Sequence, residues 1–334
     1  MNKVRYGIVG YGRFAERAIA PAIKAAPNSE LVAIQKRSLV EAQAKAKEGG
    51  IPLAFDTAEK LAAHPDIDAV FIVSANSGHY PETLAAARAH KHVLVEKPMA
   101  LNVREAEKMV AVCKENNVRL MVGHMVRLSP LVRRVRELIR AGFVGSVTFV
   151  RTEFVYDGRR SHRAWLVDQS VAGGGPLFDI GVHCIDTMRF ILDDDVQTVR
   201  CLLDPIPDDR VSESTATLSL RFRKGMLGSV YCDYNVPIRR SFIEVLGTEG
   251  VLSASNFTLS NASLELALTK RSVGDEDGTK SVEQIDVPNL YKEEVTIFSD
   301  CLISGNEPAI GGAVGLENQR ILEQAVQEAH RERR

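Results

Sequence analysis

The sequence predicts an α/β protein of two domains: a doubly wound parallel sheet over residues 1–123, then an α/β domain with a large, mainly antiparallel sheet over residues 124–334. Three observations predict it. From Val4 to Gly123, short apolar runs alternate with amphipathic helical stretches, the rhythm of strand, crossover helix and parallel strand. Beyond Gly123 the rhythm changes to alternating segments that read as half-buried antiparallel strands. The length, 334 residues, also exceeds one average domain of roughly 150 residues.

In the first domain, strands are expected at Val4 to Val9, Leu31 to Gln35, Ala69 to Val73, Val93 to Glu96 and Leu120 to Gly123. Near-continuous runs such as Ala69, Val70, Phe71, Ile72 and Val73 suit strands buried on both faces. Helices are expected between them at Phe14 to Ala26, Val40 to Glu48, Pro81 to His90 and Val103 to Asn116, where apolar residues recur at helical spacing. In the second domain, a helix from Pro130 to Ala141 precedes strands at Val147 to Val155, Thr215 to Phe222 and Gly228 to Tyr234. Gly247 to Gly250 reads as a turn and the polar stretch Ser272 to Ser281 as an exposed loop. Helices at Tyr291 to Ile303 and Leu316 to His330 are expected to close the chain.

Composition narrows the function classes. Hydrophobic residues make up 45%, charged residues 25%, and the net charge is −1, so no broad positive field attracts nucleic acid or a membrane surface. The five cysteines, Cys113, Cys184, Cys201, Cys232 and Cys301, are odd in number, dispersed and free of any CxxC pair. They suggest neither a disulfide framework nor a metal centre, and a reducing cytoplasm is the expected compartment. Apolar runs stay far below the ~20 residues of a membrane helix, and charges interrupt the N-terminal one before a signal-peptide core forms. Small molecules and copies of the chain itself are the expected partners.

The first strand runs into Gly10, Tyr11, Gly12, Arg13, Phe14 and Ala15, a G-x-G-x-x-A turn opening a helix. Gly10 permits the tight turn, Gly12 leaves room for a pyrophosphate, and Ala15 lets helix and strand approach, the fingerprint of a Rossmann dinucleotide site. At the end of the second strand stand Lys36, Arg37 and Ser38, where an NAD ribose would require an acid. Cations and a hydroxyl suit a 2′-phosphate instead, so NADP(H) is expected over NAD(H). Later strand ends carry Ser74, Asn76 and His79, then Glu96, Lys97 and Pro98, and should face the cofactor. Lys97 is the candidate active-site cation, and Pro98 is a candidate cis residue.

In the second domain, Gly173, Gly174 and Gly175 precede Asp179, His183 and Asp186. On one regular helix from Pro176 to Leu192 these three would share a face, and an acid beside an imidazole orients it and tunes its proton affinity. Metal binding by one His and two Asp finds no further ligand cluster, and no metal is expected.

Together these residues resemble the glucose-fructose oxidoreductase and inositol dehydrogenase family, Gfo/Idh/MocA. The likeness lies in Gly10-Tyr11-Gly12, in Asn76 and His79, in Glu96-Lys97-Pro98, and in Gly173 to Gly175 followed by Asp179, Gly181, His183 and Asp186. Gly247-Thr248-Glu249-Gly250 is similar to the family's late turn. The resemblance implies a hydride transfer between nicotinamide C4 and a carbinol or carbonyl carbon of a sugar, polyol or derivative. It implies Lys97, Asp179 and His183 as a catalytic trio, with Lys97 or His183 moving the hydroxyl proton. Lys97, Arg127, Tyr156, Trp165, Asp179 and His183 are the expected substrate contacts, and Trp165 is also a candidate cofactor cover. Met125 and Leu166 depart from the family pattern, where many relatives carry Asn and Arg. A homodimer or homotetramer through the C-terminal sheet is implied. The competing reading is a dinucleotide-binding sensor without turnover, against which the retention of Lys97, Asp179 and His183 argues.

Overall fold

The computed structural model describes residues 3–272 and 274–331 and divides them into two compact units. The first takes the chain through Met125 together with Tyr291–Gln319; the second takes Val126–Leu290 together with the chain from Arg320.

In the first unit β1 (Val4–Val9) leads into a helix that opens at Arg13, is π-wound over Ala15–Ile19 and continues as α1 (Ala20–Ala25). There follow β2 (Ser29–Gln35), α2 (Leu39–Gly49), β3 (Leu53–Phe55), α3 (Ala58–Ala62) and β4 (Ala69–Ile72). Next come α4 (Asn76–Arg88), β5 (His92–Glu96), α5 (Val103–Glu115) and β6 (Leu120–Gly123). Among the described residues the strands form one six-stranded sheet in the order β3-β2-β1-β4-β5-β6, with every pairing parallel. Val9, Val70, Ile72, Val95 and Val122 from the strands pack with Leu84 and Ala87 of α4 and Ala106 and Met109 of α5. Each large aliphatic buried in this way contributes about 1.5–3 kcal/mol, which is why the strands read as unbroken apolar runs. Strand order reverses between β1 and β4, and the crevice at that carboxyl edge is where such sheets bind ligands.

The second unit's chain continues through α6 (Pro130–Arg140), β7 (Val147–Val155) and α7 (Gln169–Ala172) to a π-wound turn, Leu177–Gly181, that enters α8 (Val182–Leu192). Strands β8 (Val196–Asp204), β9 (Thr215–Phe222), β10 (Leu227–Asp233) and β11 (Arg240–Gly247) follow. They are succeeded by β12 (Gly250–Ser255), β13 (Ala262–Ser272) and β14 (Asp275–Val287). Last come α9 (Leu290–Ser304), which from Tyr291 onward belongs to the first unit, and α10 (Gly312–Arg331), which belongs to the first unit as far as Gln319 and to the second from Arg320. The described strands make an eight-stranded sheet, β14-β13-β12-β11-β7-β10-β9-β8, antiparallel except where β7 meets β10. Along β9, Ala216, Leu218, Leu220 and Phe222 point inward between exposed neighbours, as a sheet covered on one face requires. α8 covers that face, with Met188 Sδ 3.5 Å from Thr152 Oγ1. No helix among the described residues is long and apolar enough to cross a membrane.

Several expectations are corrected. α4 begins at Asn76, not near Pro81, because Pro81 lies early enough in the helix to remove only one backbone bond. Asn76 and His79 are therefore helical. β3 was not expected; it is three half-buried residues long, too short to show a period. The stretch Ser272 to Ser281 is mostly edge strand, with Thr279 opposite Lys270 and Ser281 opposite Leu268; Val273 lies outside the described residues. Its polar composition reads as a loop because an edge strand is kept soluble by the same residues. A single boundary after residue 123 also fails, because the chain returns to the first unit late: the Tyr6 hydroxyl on β1 bonds the Ser299 hydroxyl on α9 at 2.8 Å, both buried.

Candidate active site

The turn after β1 is built by close approach. Gly10 has φ +83°, and a Cβ there would lie 2.5 Å from the Ser74 Cα, so only glycine serves. Its N–H donates to the buried Gln35 Oε1 at 3.0 Å, while Gln35 Nε2 donates to the Asp56 carbonyl at 2.9 Å. Gln35 thus pins the turn from the end of β2. Gly12 is exposed, with no atom nearer its would-be Cβ than 3.9 Å, which leaves the helix N-terminus open to an anion. Arg13 is exposed, whereas Phe14 packs edge-on against Tyr291 with ring centroids 5.4 Å apart. The Tyr11 ring is buried, and burial pushes its phenol upward.

The three residues beyond β2 divide their work. Lys36 Nζ lies 3.3 Å from the Tyr11 carbonyl and 3.4 Å from Glu41, and Ser38 caps α2 by accepting the Glu41 N–H at 3.3 Å. Arg37 is exposed and makes no hydrogen bond or ion pair with the described residues. This vacant guanidinium, at a strand end without an acid, fits a dinucleotide carrying a 2′-phosphate.

Around Lys97 the structure brings together Ser74, His79, Glu96 and Pro98. The Lys97–Pro98 peptide is cis, and the half-buried Lys97 has its backbone N–H 3.3 Å from Glu96 Oε2. His79 is buried, with Nδ1 2.9 Å from the Pro98 carbonyl and Nε2 3.3 Å from the Ser74 carbonyl. Burial lowers its pKa to about 4, and the Lys97 charge pushes the same way. A neutral ring donates to only one of the two carbonyls, and the shorter contact favours Nδ1–H to Pro98. His79 therefore holds the Pro98 side of the site through its ring. The Ser74 hydroxyl donates to Glu82 Oε2 at 2.6 Å, and burial raises the Glu82 carboxyl to about 7.

Glu96 has a buried carboxyl neighbour. Glu294 on α9 is fully buried, neither of its oxygens has a hydrogen-bond partner, and burial, followed by the Glu96 charge, raises its pKa well above the ordinary carboxylate value. Burial thus favours the protonated form of Glu294 in the folded protein. A raised folded value means that this group's contribution is complete below the unfolded carboxyl value of about 4.3 and is lost as pH climbs through the folded value. Glu294→Met should accordingly stabilise the protein at pH 8 by about 1–3 kcal/mol, the cost of a buried polar group without a partner, and by less at pH 5. Urea denaturation at the two pH values measures this; an equal or larger gain at pH 5 would contradict it.

In the second unit the acid is Asp179, on the π-wound turn. Its Oδ2 accepts the Tyr156 hydroxyl at 2.6 Å, the Tyr234 hydroxyl at 3.1 Å and Arg163 Nη2 at 3.1 Å, and its Oδ1 accepts Arg163 Nη1 at 3.3 Å. The Asp179 charge holds the Arg163 guanidinium above its ordinary value against the pull of burial. Burial first, then Asp179, raises both phenols, so they stay protonated and donate. Arg163 and Tyr234 were missed by sequence reasoning, since neither falls in a motif and their partner lies 16 and 55 positions away. Tyr156 is engaged with Asp179, and Trp165 is half-buried, 5.9 Å from the Arg163 guanidinium. Arg160 is exposed and pairs with Asp157 at 3.4 Å.

His183 is buried in the first turn of α8, with its ring 6.3 Å from Phe154. The expected regular helix through Asp179, His183 and Asp186 is corrected: the segment is π-wound before Gly181, with more residues per turn, so spacing alone does not stack the three. Asp186 instead pairs with Arg127 through two bonds of 2.8 and 2.7 Å, both side chains largely buried, and Arg127 also lies 5.4 Å over the Phe190 ring. Among the described residues no group of three or more His, Cys, Asp and Glu is placed to hold a metal ion.

Comparison with known proteins agrees with this geometry. Residues 4–124 match the family model described as oxidoreductase family, NAD-binding Rossmann fold, and residues 132–253 match the GFO/IDH/MocA C-terminal domain. A 1,5-anhydro-D-fructose reductase of Ensifer adhaerens is 29% identical over 93% of this chain and 92% of its own. A D-xylose 1-dehydrogenase [NADP(+)] of Haloarcula marismortui is 29% identical over 94% of this chain and 88% of its own. The crystal structure of an aldose-aldose oxidoreductase from Caulobacter crescentus, complexed with glycerol, is 28% identical, covers 99% of this chain and 98% of its own, and superposes with a TM-score of 0.87. The two family models between them account for most of the chain, and the protein belongs to the GFO/IDH/MocA family of NAD(P)-dependent oxidoreductases.

Proposed function

We propose that this enzyme oxidises or reduces a sugar, polyol or close derivative, prefers NADP(H), and uses Lys97, Asp179 and His183 for acid-base work. The observation that carries the reading is Asp179, a buried carboxylate gripped by a guanidinium and two phenols on the turn just ahead of His183. The names of the relatives, a sugar reductase and a sugar dehydrogenase among them, support the substrate class. Hydride transfer to or from a carbinol carbon is the chemistry that a bound nicotinamide supplies. The chain's own part is to hold the pyrophosphate over Gly10 to Arg13, to meet a 2′-phosphate with Arg37, and to pass the hydroxyl proton to or from the Lys97 amine or the His183 imidazole. Asp179 supplies the balancing negative charge, and Tyr156 and Arg163 keep it in place.

Absorbance at the reduced-nicotinamide band with a panel of aldoses, ketoses and polyols tests the reaction; cofactor binding without turnover on any of them would leave only a sensor. Arg37→Ala tests the cofactor. Losing a charge-assisted bond of about 1.5–3 kcal/mol should raise the Kd for NADPH roughly 10- to 100-fold while leaving that for NADH nearly unchanged. Equal loss for both dinucleotides would refute the assignment.

A further inference from the structure

We propose that Glu213, on the segment leading into β9, is a positioning residue that fixes the turn carrying Asp179 and leading to His183. The proposal rests on the acid-base reading of those two residues given above.

Three observations carry it. Glu213 is 2% exposed, and its Oε1 accepts the Leu177 N–H at 3.0 Å from 36 positions downstream. The local residue at that helix end, Pro176, offers no side-chain cap, so the distant carboxylate takes a task usually done by a neighbouring Ser, Thr, Asp or Asn. Gly175 lies flush against the same residue: a Cβ there would stand 1.9 Å from the Glu213 carbonyl oxygen and 3.2 Å from its carboxyl carbon. The second carboxyl oxygen, Oε2, is buried with no hydrogen-bond partner. Burying a carboxyl so incompletely satisfied costs stability, and burial does push its pKa up to about 7, against the opposing backbone donors of Gly175 and Leu177. Such a cost is retained where it secures geometry. Here the secured geometry is that of Asp179, two residues beyond Leu177, whose four accepted bonds span only 2.6–3.3 Å.

The third glycine of the G-G-G run thus has a reason of its own. Gly173 ends α7 with φ +77°, Gly174 has a would-be Cβ 2.2 Å from the Phe178 ring, and Gly175 admits Glu213. The run lets β9's approach segment clamp the turn.

The test compares Glu213→Ala with Glu213→Gln and Gly175→Ala in the full-length enzyme. A misplacement of about 1 Å costs up to ~100-fold in rate, so Glu213→Ala is expected to lower kcat roughly ten-fold or more with the NADPH Kd unchanged. Glu213→Gln keeps an acceptor oxygen and should restore kcat to within about two-fold of wild type, the loss of one charge-assisted bond being offset by retention of a neutral one. Gly175→Ala should copy the alanine variant from the other side of the contact. Hydrogen exchange at the Leu177 amide, read by mass spectrometry of peptides covering 174–180, should accelerate in Glu213→Ala and not in Glu213→Gln. Wild-type kcat and exchange in Glu213→Ala would overturn the proposal, as would equal losses in the glutamine and alanine variants. If the wild type turns over no sugar or polyol, the functional reading fails on its own; unchanged exchange at Leu177 would then overturn the clamp.

Discussion

Lys97→Met is expected to lower kcat by about 100- to 10,000-fold, the usual worth of a positioned proton donor or acceptor. Methionine keeps the unbranched stem and loses only the amine, so the backbone arrangement at the end of β5 should survive. That arrangement does not depend on the ammonium: the Pro98 carbonyl is held by His79 at 2.9 Å and the Lys97 N–H by Glu96 at 3.3 Å. Dinucleotide affinity, measured by quenching or by nicotinamide fluorescence, should therefore stay near the wild-type value. One secondary shift is expected as well. The Lys97 charge helps to depress His79, so its removal should let the His79 pKa rise from about 4 toward the ordinary value, although burial still holds it down. A Lys97→Met enzyme with undiminished turnover would remove this residue from the mechanism.

Arg163→Leu should be costly in a different way. It leaves Asp179 buried without its Arg163 guanidinium, and breaking a buried ion pair by removing one partner typically costs about 3–5 kcal/mol. Because the Arg163 side chain is 33% exposed and the two hydroxyls remain, we expect about 2–3 kcal/mol, at or below the lower end of that range. The carboxylate then has freedom to turn, and kcat should fall roughly 10- to 100-fold, as a misplaced reacting group does. Chemical denaturation and steady-state kinetics on the same preparation separate the two effects. A wild-type denaturation midpoint would show that Asp179 is held without Arg163.

The legibility of the sequence followed the range of the interactions. Parallel strands such as β4 and β5 were visible because burial on both faces imposes an apolar run, and the Gly10 turn because a dinucleotide turn needs glycine at fixed offsets. β3 was not visible, since three half-buried residues carry no period. The start of α4 was masked by Gly78 and Pro81, which read locally as a turn. The candidate site residues carried by motifs, Lys97, Asp179 and His183, were named from sequence, but not every side chain that bonds them was. Arg163, Tyr234, Glu213 and Gln35 belong to no motif and act through bonds to partners that only the fold brings near. Arg127 and Asp186 were both noticed, each for a separate task, and the structure pairs them with each other. A motif scan registers residues whose type is dictated by chemistry; it passes over those whose type is dictated by a neighbour distant in sequence.

The late return of the chain to the first sheet bears on synthesis at the ribosome. Ser299 follows Tyr6 by 293 positions, so a nascent chain carries the Tyr6 phenol without its eventual hydroxyl partner until the whole stretch between them has been added. The nucleotide-binding half is finished only after Val126–Leu290 of the other unit has been made.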